Sequence, residues 1–231
     1  MIHKAKKVNI IKLFCLIGGK YMKKIAICIG REYGSGGREI AINLAKTLNI
    51  PLYDKLLIKD AAKEYHYSSN IIKNNDEKPI EFSFMLSGNP LADLLTINDT
   101  FYSLKEKTFE MERNIIIEKA SLGPCVIIGR CASSILKDEN YNVISIFIYG
   151  DKKDKINRIS KRNNISLKEA EIEMKKKDSL RKKYFDFYSS SKWGEKESYD
   201  IMISSSKYGI NKASLILKNI INEITGDDSD E

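Results

Sequence analysis

Hydrophobic and polar positions along the chain follow two periods in turn. Ile25-Ala26-Ile27-Cys28-Ile29, after Lys24, is an unbroken apolar run rich in β-branched residues, which predicts a strand over 23–30 buried on both faces. After a glycine-rich turn the spacing becomes helical, with Ile40, Ala41, Leu44, Ala45 and Leu48 on one face of a helix over 37–48. Ile50-Pro51-Leu52-Tyr53 reads as a short second strand ending at Asp54. Residues 55–122 read as mostly helical, with a polar break near 74–79 and a loop at Ser87-Gly88-Asn89-Pro90. Met111, Ile115, Ile116 and Ala120 give 110–122 an apolar stripe that Gly123-Pro124 stops. Cys125-Val126-Ile127-Ile128 predicts a third strand, and 143–149 a fourth leading into a basic helix over 152–163. Ser166 caps the next helix, and Glu169 completes a capping box. A short strand over 199–203 and an amphipathic helix carrying Ile210, Ala213, Leu217, Ile220, Ile221 and Ile224 finish the pattern.

Apolar strands alternating with helices predict a parallel sheet covered on both faces. Such sheets take ligands at the carboxyl ends of their strands. Gly34–Gly37, Asp54, Gly129-Arg130 and Asp151 all fall at those ends, so one rim gathers four candidate groups.

The turn itself, Gly30-Arg31-Glu32-Tyr33-Gly34-Ser35-Gly36-Gly37-Arg38, joins a strand to a helix N-terminus. Backbone N–H groups collect at such a point, which suits a phosphate. The loop is close to the Walker pattern G-x-x-x-x-G-K-[ST] and departs from it at three positions. With Gly36 as the second glycine, Arg31 replaces the first, Gly37 stands where lysine belongs, and Arg38 stands where the magnesium-binding hydroxyl belongs. Arg38 is the nearest cation able to stand in for the lysine. A tight turn without a ligand is the plainer alternative.

Length suits one α/β domain. The net charge of +8 is concentrated between Lys152 and Lys183, where a polyanionic small substrate is served as well as a nucleic acid. No nucleic-acid signature accompanies it. Cys15, Cys28, Cys125 and Cys131 form no C-x-x-C pair, and His3 and His66 are the sole histidines, which argues against a zinc site and fits a reducing cytoplasm. His66 reads as structural. Residues 1–21 look foreign to the rest: the apolar stretch is split by Lys12, is too short to span a bilayer, and lacks a cleavage site. They are expected to be a disordered extension or a start placed too early, since Gly18-Gly19 can be encoded by a ribosome-binding-like GGAGG ahead of Met22. Residues 226–231 read as a frayed acidic tail.

Several segments together resemble the cytidylate kinase-like family, among the nucleoside monophosphate kinases. They are Arg31-Glu32-Tyr33-Gly34-Ser35-Gly36-Gly37-Arg38-Glu39-Ile40-Ala41, Tyr53-Asp54-Lys55, Val126-Ile127-Ile128-Gly129-Arg130-Cys131-Ala132, the basic segment with Asp178 and Arg181, Trp193-Gly194 and Tyr199-Asp200. The resemblance is colinear from Met22 to about Ile224 and implies a P-loop NTPase-type three-layer sandwich over 22–225. It implies a five-stranded parallel sheet with flanking helices, a helical acceptor-binding insertion at 55–122 and a helical lid at 152–190.

It further implies ATP and magnesium as cofactors, with Gly34, Ser35, Gly36, Gly37 and Arg38 cradling the ATP phosphates. Arg130 would hold a monophosphate acceptor, with Asp54, Cys131 and Asp178 beside it. Arg158, Arg162 and Arg181 would close over the phosphates with Arg38. Cytidylate kinases proper usually carry Asp where this chain has Cys131, which leaves the base unassigned. The expected activity is phosphoryl transfer to a nucleoside monophosphate, CMP or dCMP first, with small-molecule partners and no nucleic acid or membrane. A nucleotide sensor (from Gly37) and a kinase for another small metabolite (from Cys131) stay open. So do plainer roles: Arg158 and Arg162 as a solvated face near Asp154, Arg181 with Asp178 as an i,i+3 ion pair, Asp54 as a helix cap. Tyr184, Phe185, Phe187, Tyr188 and Trp193 read as packing before base stacking.

Overall fold

A computed structural model describes residues 25–54 and 92–226, with side chains from 106 onward in the second stretch. The readings made for residues 1–24, 55–91 and 227–231, which include His66, the polar break, the 87–90 loop, the N-terminal extension and most of the acidic tail, lie outside it.

Five parallel strands form one sheet in the order β2-β3-β1-β4-β5. They are β1 (Ile25–Arg31), β2 (Leu52–Tyr53), β3 (Cys125–Ile128), β4 (Asn142–Tyr149) and β5 (Ile201–Ser204). β1 lies at the centre, with Cys28 level with Ile127 of β3 and with Ser145 of β4. Burial on both faces explains the continuous apolar runs: Ile27, Cys125, Val126, Ile127, Ile146 and Ile148 are wholly enclosed. Helix α1 (Gly37–Thr47) and helix α6 (Ser205–Thr225) cover one face through Ile40, Leu44, Leu217 and Ile221. The other face is covered by α2 (Ala92–Ser121), through Met111, Ile115 and Ile116, and by α3 (Ala132–Asp138), through Ile135 and Leu136. Phe185 and Tyr199 join that second core. The result is the expected three-layer P-loop NTPase-type sandwich.

Helices α4 (Lys152–Asn163) and α5 (Leu167–Tyr188) form a hairpin with its own small core of Ile156, Ile159, Ala170 and Met174. The Ser166 hydroxyl accepts from the Glu169 N–H, and the Glu169 carboxylate accepts from the Ser166 N–H, so the predicted capping box forms. Sequence patterning misses α3, whose seven residues are too few to show a period. It also starts the last strand two residues early, because Tyr199 is buried in the aromatic cluster and not in the sheet. Gly209 (φ 72°) breaks α6 near its start.

Candidate functional site

The carboxyl ends of β1 and β3 open into a cleft under α5, lined by Arg31, Gly129, Arg130, Cys131, Arg181 and Trp193 among others. Gly30 and Arg31, at the start of the glycine turn, line it, and the rest of the loop continues beyond its lining. Gly34 (φ 82°) and Gly36 (φ 74°) occupy the left-handed region that glycine tolerates. A Cβ on Gly34 would stand 2.8 Å from the Lys155 carbonyl oxygen and from Ile159 Cδ1, so the hairpin packs directly on the loop. Gly36 is the N-cap of α1 and brings no side-chain cap, which leaves that helix end to another acceptor.

The hairpin holds the loop at four further points. The Tyr33 N–H donates to Asp178 Oδ1 at 2.6 Å and the Tyr33 hydroxyl to Glu173 Oε1 at 2.7 Å. Arg158 donates to the Gly34 carbonyl. The buried Lys155 pairs with Glu32 at 2.8 Å, and Glu32 also accepts from the Gly150 N–H at 2.9 Å. Arg162 and Arg181 flank the Tyr33 ring, 4.9 and 5.3 Å from its centroid. Arg181 also donates to the Arg31 carbonyl at 3.1 Å and lies 3.5 Å from Asp178. Burial pushes the Asp178 carboxyl up to about 6, against the lowering pull of the Tyr33 N–H, Arg181 and Lys155.

Arg38 sits at the other side of the loop. Its Nε and Nη2 both donate to Asp54 Oδ2, at 3.1 and 2.7 Å. The arginine side chain is 59% exposed and the aspartate 11%. Arg130 and Cys131 follow Gly129 with φ of 59° and 55°, a strained pair that turns the chain from β3 into α3. The Arg130 guanidinium is buried against Glu112 at 3.0 Å, and Tyr184 donates its hydroxyl to Glu112 Oε2 at 2.8 Å. Burial, then the Glu112 charge, raises the Cys131 thiol far above its ordinary range, so it is a neutral apolar lining group. The aromatics mostly pack: Phe147 meets Trp193 edge-on at 5.2 Å and Tyr199 at 4.8 Å.

The structure thus brings Gly34, Gly36, Gly37, Arg158, Arg162, Arg181 and Asp178 together at the loop, and Arg130 and Cys131 together across the cleft. It sets Arg38 and Asp54 side by side on the rim. Ser35 is buried, and its hydroxyl donates to the Glu32 carbonyl at 2.8 Å. Sequence reasoning missed Glu112, Lys155 and Tyr33. Two carried a signal: Glu112 lies in register with Ile115 and Ile116, and Lys155 with Ile159, each a charge on an apolar stripe.

The family model of the cytidylate kinase-like family matches residues 26–207. The chain belongs to the cytidylate kinase-like family. An uncharacterized protein from Eubacterium ventriosum, known from a crystal structure, is 34% identical with a TM-score of 0.65, over 86% of this chain and 98% of that one. TT1252 from Thermus thermophilus is 14% identical with a TM-score of 0.50, over 87% and 97%, and shares the fold. No curated protein matches. Membership of the cytidylate kinase-like family supports a kinase-type phosphotransferase, with ATP and magnesium as that family's general requirement. No helix among the described residues is long and apolar enough to cross a membrane. Among the same residues no group of three or more His, Cys, Asp or Glu is placed to hold a metal ion.

Proposed function

We propose that this chain transfers the γ-phosphoryl group of ATP to a nucleoside monophosphate, with CMP or dCMP as the first acceptor to test. The observation that carries the reading is a cleft that sets Gly30 and Arg31, where the glycine loop leaves β1, beside Arg130 and Arg181. Phosphoryl transfer between two anions needs positioning and distributed positive charge more than covalent chemistry. The uncapped start of α1 and the left-handed glycines fit the ATP phosphates. The fit to magnesium is poorer. Arg38 stands at the hydroxyl position, and the Ser35 hydroxyl donates to the Glu32 carbonyl, so neither offers this loop's hydroxyl to a metal ion.

Each residue then has a task. Gly34, Ser35, Gly36 and Gly37 present backbone to the donor phosphates, while Asp178, Glu173 and Lys155 hold that backbone in place. Arg158, Arg162 and Arg181 supply charge from the hairpin and, with it, exclude water from the transfer. Arg130 receives the acceptor's phosphate. Arg38 and Asp54 border the acceptor side, where their pairing fixes the angle of the guanidinium. Glu112 keeps the Arg130 fork oriented.

Release of ADP from MgATP in the presence of each common nucleoside monophosphate tests the reading. Turnover with CMP or dCMP well above the ATP-only rate supports it. Tight ATP binding with no turnover on any acceptor refutes it in favour of a nucleotide sensor. A second reading, a kinase for a different small metabolite, is favoured by one observation. Among the described residues the carboxylate paired with Arg130 is that of Glu112, which does not line the cleft, while the neutral Cys131 thiol does. Turnover confined to non-nucleotide acceptors would establish it.

A further inference from the structure

The glycine loop breaks the Walker pattern at its first glycine and at its lysine, and the structure shows the two exceptions in contact. Arg31 occupies the first position and its stem lies over Gly37, which occupies the lysine position. A Cβ on Gly37 would stand 2.7 Å from Arg31 Cβ and 3.1 Å from Arg31 Cγ. The Cβ is fixed to the backbone and cannot swing away, and Ile148 Cβ would stand at 3.2 Å as well. A lysine at 37 is therefore incompatible with an arginine at 31. The other end of Arg31 lies against a third glycine, itself held at φ 74°: a Cβ on Gly129 would lie 2.5 Å from Arg31 Nη1. The guanidinium thus crosses from the loop to the residue before Arg130. Arg181 fixes its root by donating to the Arg31 carbonyl at 3.1 Å, and β1 pairs it with Ile148 of β4.

From this we propose that Arg31 does the work of the missing Walker lysine, through a reciprocal exchange in which cation and glycine have traded places across the loop. The assignment rests on the phosphoryl-transfer reading above. A lysine at the start of α1 reaches back over the phosphates it holds. Arg31 reaches the same gap from the strand side, and Gly37 and Gly129 leave it room at stem and head. Its fork can hold phosphate oxygens in pairs and stays protonated. Arg38 is thereby left to Asp54.

The test is a swap read by two measurements, thermal unfolding and calorimetric titration with MgATP. Arg31→Gln keeps the stem and removes the charge; MgATP binding should weaken by roughly tenfold or more with the melting temperature nearly unchanged. Gly37→Lys alone should lower the melting temperature by several degrees. Arg31→Gly/Gly37→Lys should restore both the melting temperature and most of the MgATP affinity. Wild-type affinity in Arg31→Gln overturns the assignment, as does a double variant no more stable than Gly37→Lys. Wild-type protein that binds no nucleoside triphosphate overturns the phosphoryl-transfer reading and this assignment together, whereas loss of Arg31 without effect in a protein that binds MgATP overturns this assignment alone.

Discussion

Replacing Glu112 with alanine tests how the Arg130 side of the cleft is held. The side chains of Arg130 and Glu112 are 8% and 3% exposed and 3.0 Å apart. Removing the carboxylate leaves a guanidinium charge in a site with little water, and breaking one partner of a buried pair costs ~3–5 kcal/mol. Tyr184 also loses its hydroxyl acceptor; that loss overlaps the first and adds at most ~1 kcal/mol net. A total near ~4 kcal/mol is a large share of the ~5–15 kcal/mol that holds a domain together. At ~2–4 °C per kcal/mol for a chain of this size, the melting temperature should fall by ~8–16 °C. Urea unfolding and thermal denaturation, run side by side, give the two measures. Glu112→Ala/Arg130→Met should recover most of the loss, because an apolar side chain of similar length tolerates the site without a counter-charge. Two results would refute the reasoning: a loss below ~1 kcal/mol in Glu112→Ala, or no recovery in the double variant.

Asp178→Asn keeps an oxygen for the Tyr33 N–H and removes a buried charge. With the folded carboxyl at about 6, above its ordinary 3.8, the native state holds the proton more tightly. This group's contribution to stability is therefore greatest below pH ~4 and falls as pH rises to ~6. The variant should match wild type near pH 4 and exceed it by ~1–3 kcal/mol at pH 7; a melting-temperature series across pH checks both ends. Arg38→Ala takes an exposed guanidinium away from the buried Asp54 carboxylate and should cost ~1–3 kcal/mol of stability, while raising the acceptor KM and sparing MgATP affinity in steady-state kinetics. Gly34→Ala meets the Lys155 carbonyl and Ile159 at 2.8 Å with φ at 82°, so unfolding should show a loss of ~2 kcal/mol or more. Cys131→Asp would set a second carboxylate beside Glu112 and should destabilise the protein in urea by ~2–4 kcal/mol at pH 7, with the loss shrinking as pH falls.

The order of strands and helices was legible because each central strand is buried on both faces and each long helix presents one apolar stripe. β3 and α4 fall where patterning puts them for that reason. The short α3 carries too little sequence to declare itself. At the site, the glycine loop and Gly129-Arg130 were visible from residue type and position at strand ends. What was hidden depends on contacts between distant segments. Arg38 reads as the substitute cation because it is adjacent to Gly37 in sequence, whereas the arginine whose stem packs on Gly37 is Arg31, six positions back. Nothing in composition reveals that Asp178 meets the Tyr33 N–H across 145 residues, or that Glu112 lies behind Arg130.

Tyr33 is the joint through which the hairpin and the glycine loop become mechanically one. Its ring, hydroxyl and N–H are engaged by different residues of α4 and α5, and it also packs on their small core. Any outward swing of the hairpin must therefore drag the loop by this residue, so the two share a single coordinate of motion. In native-state hydrogen exchange, the amides of both should open with one common free energy. An anion that steadies the loop should slow exchange on the far side of α5 by the same factor.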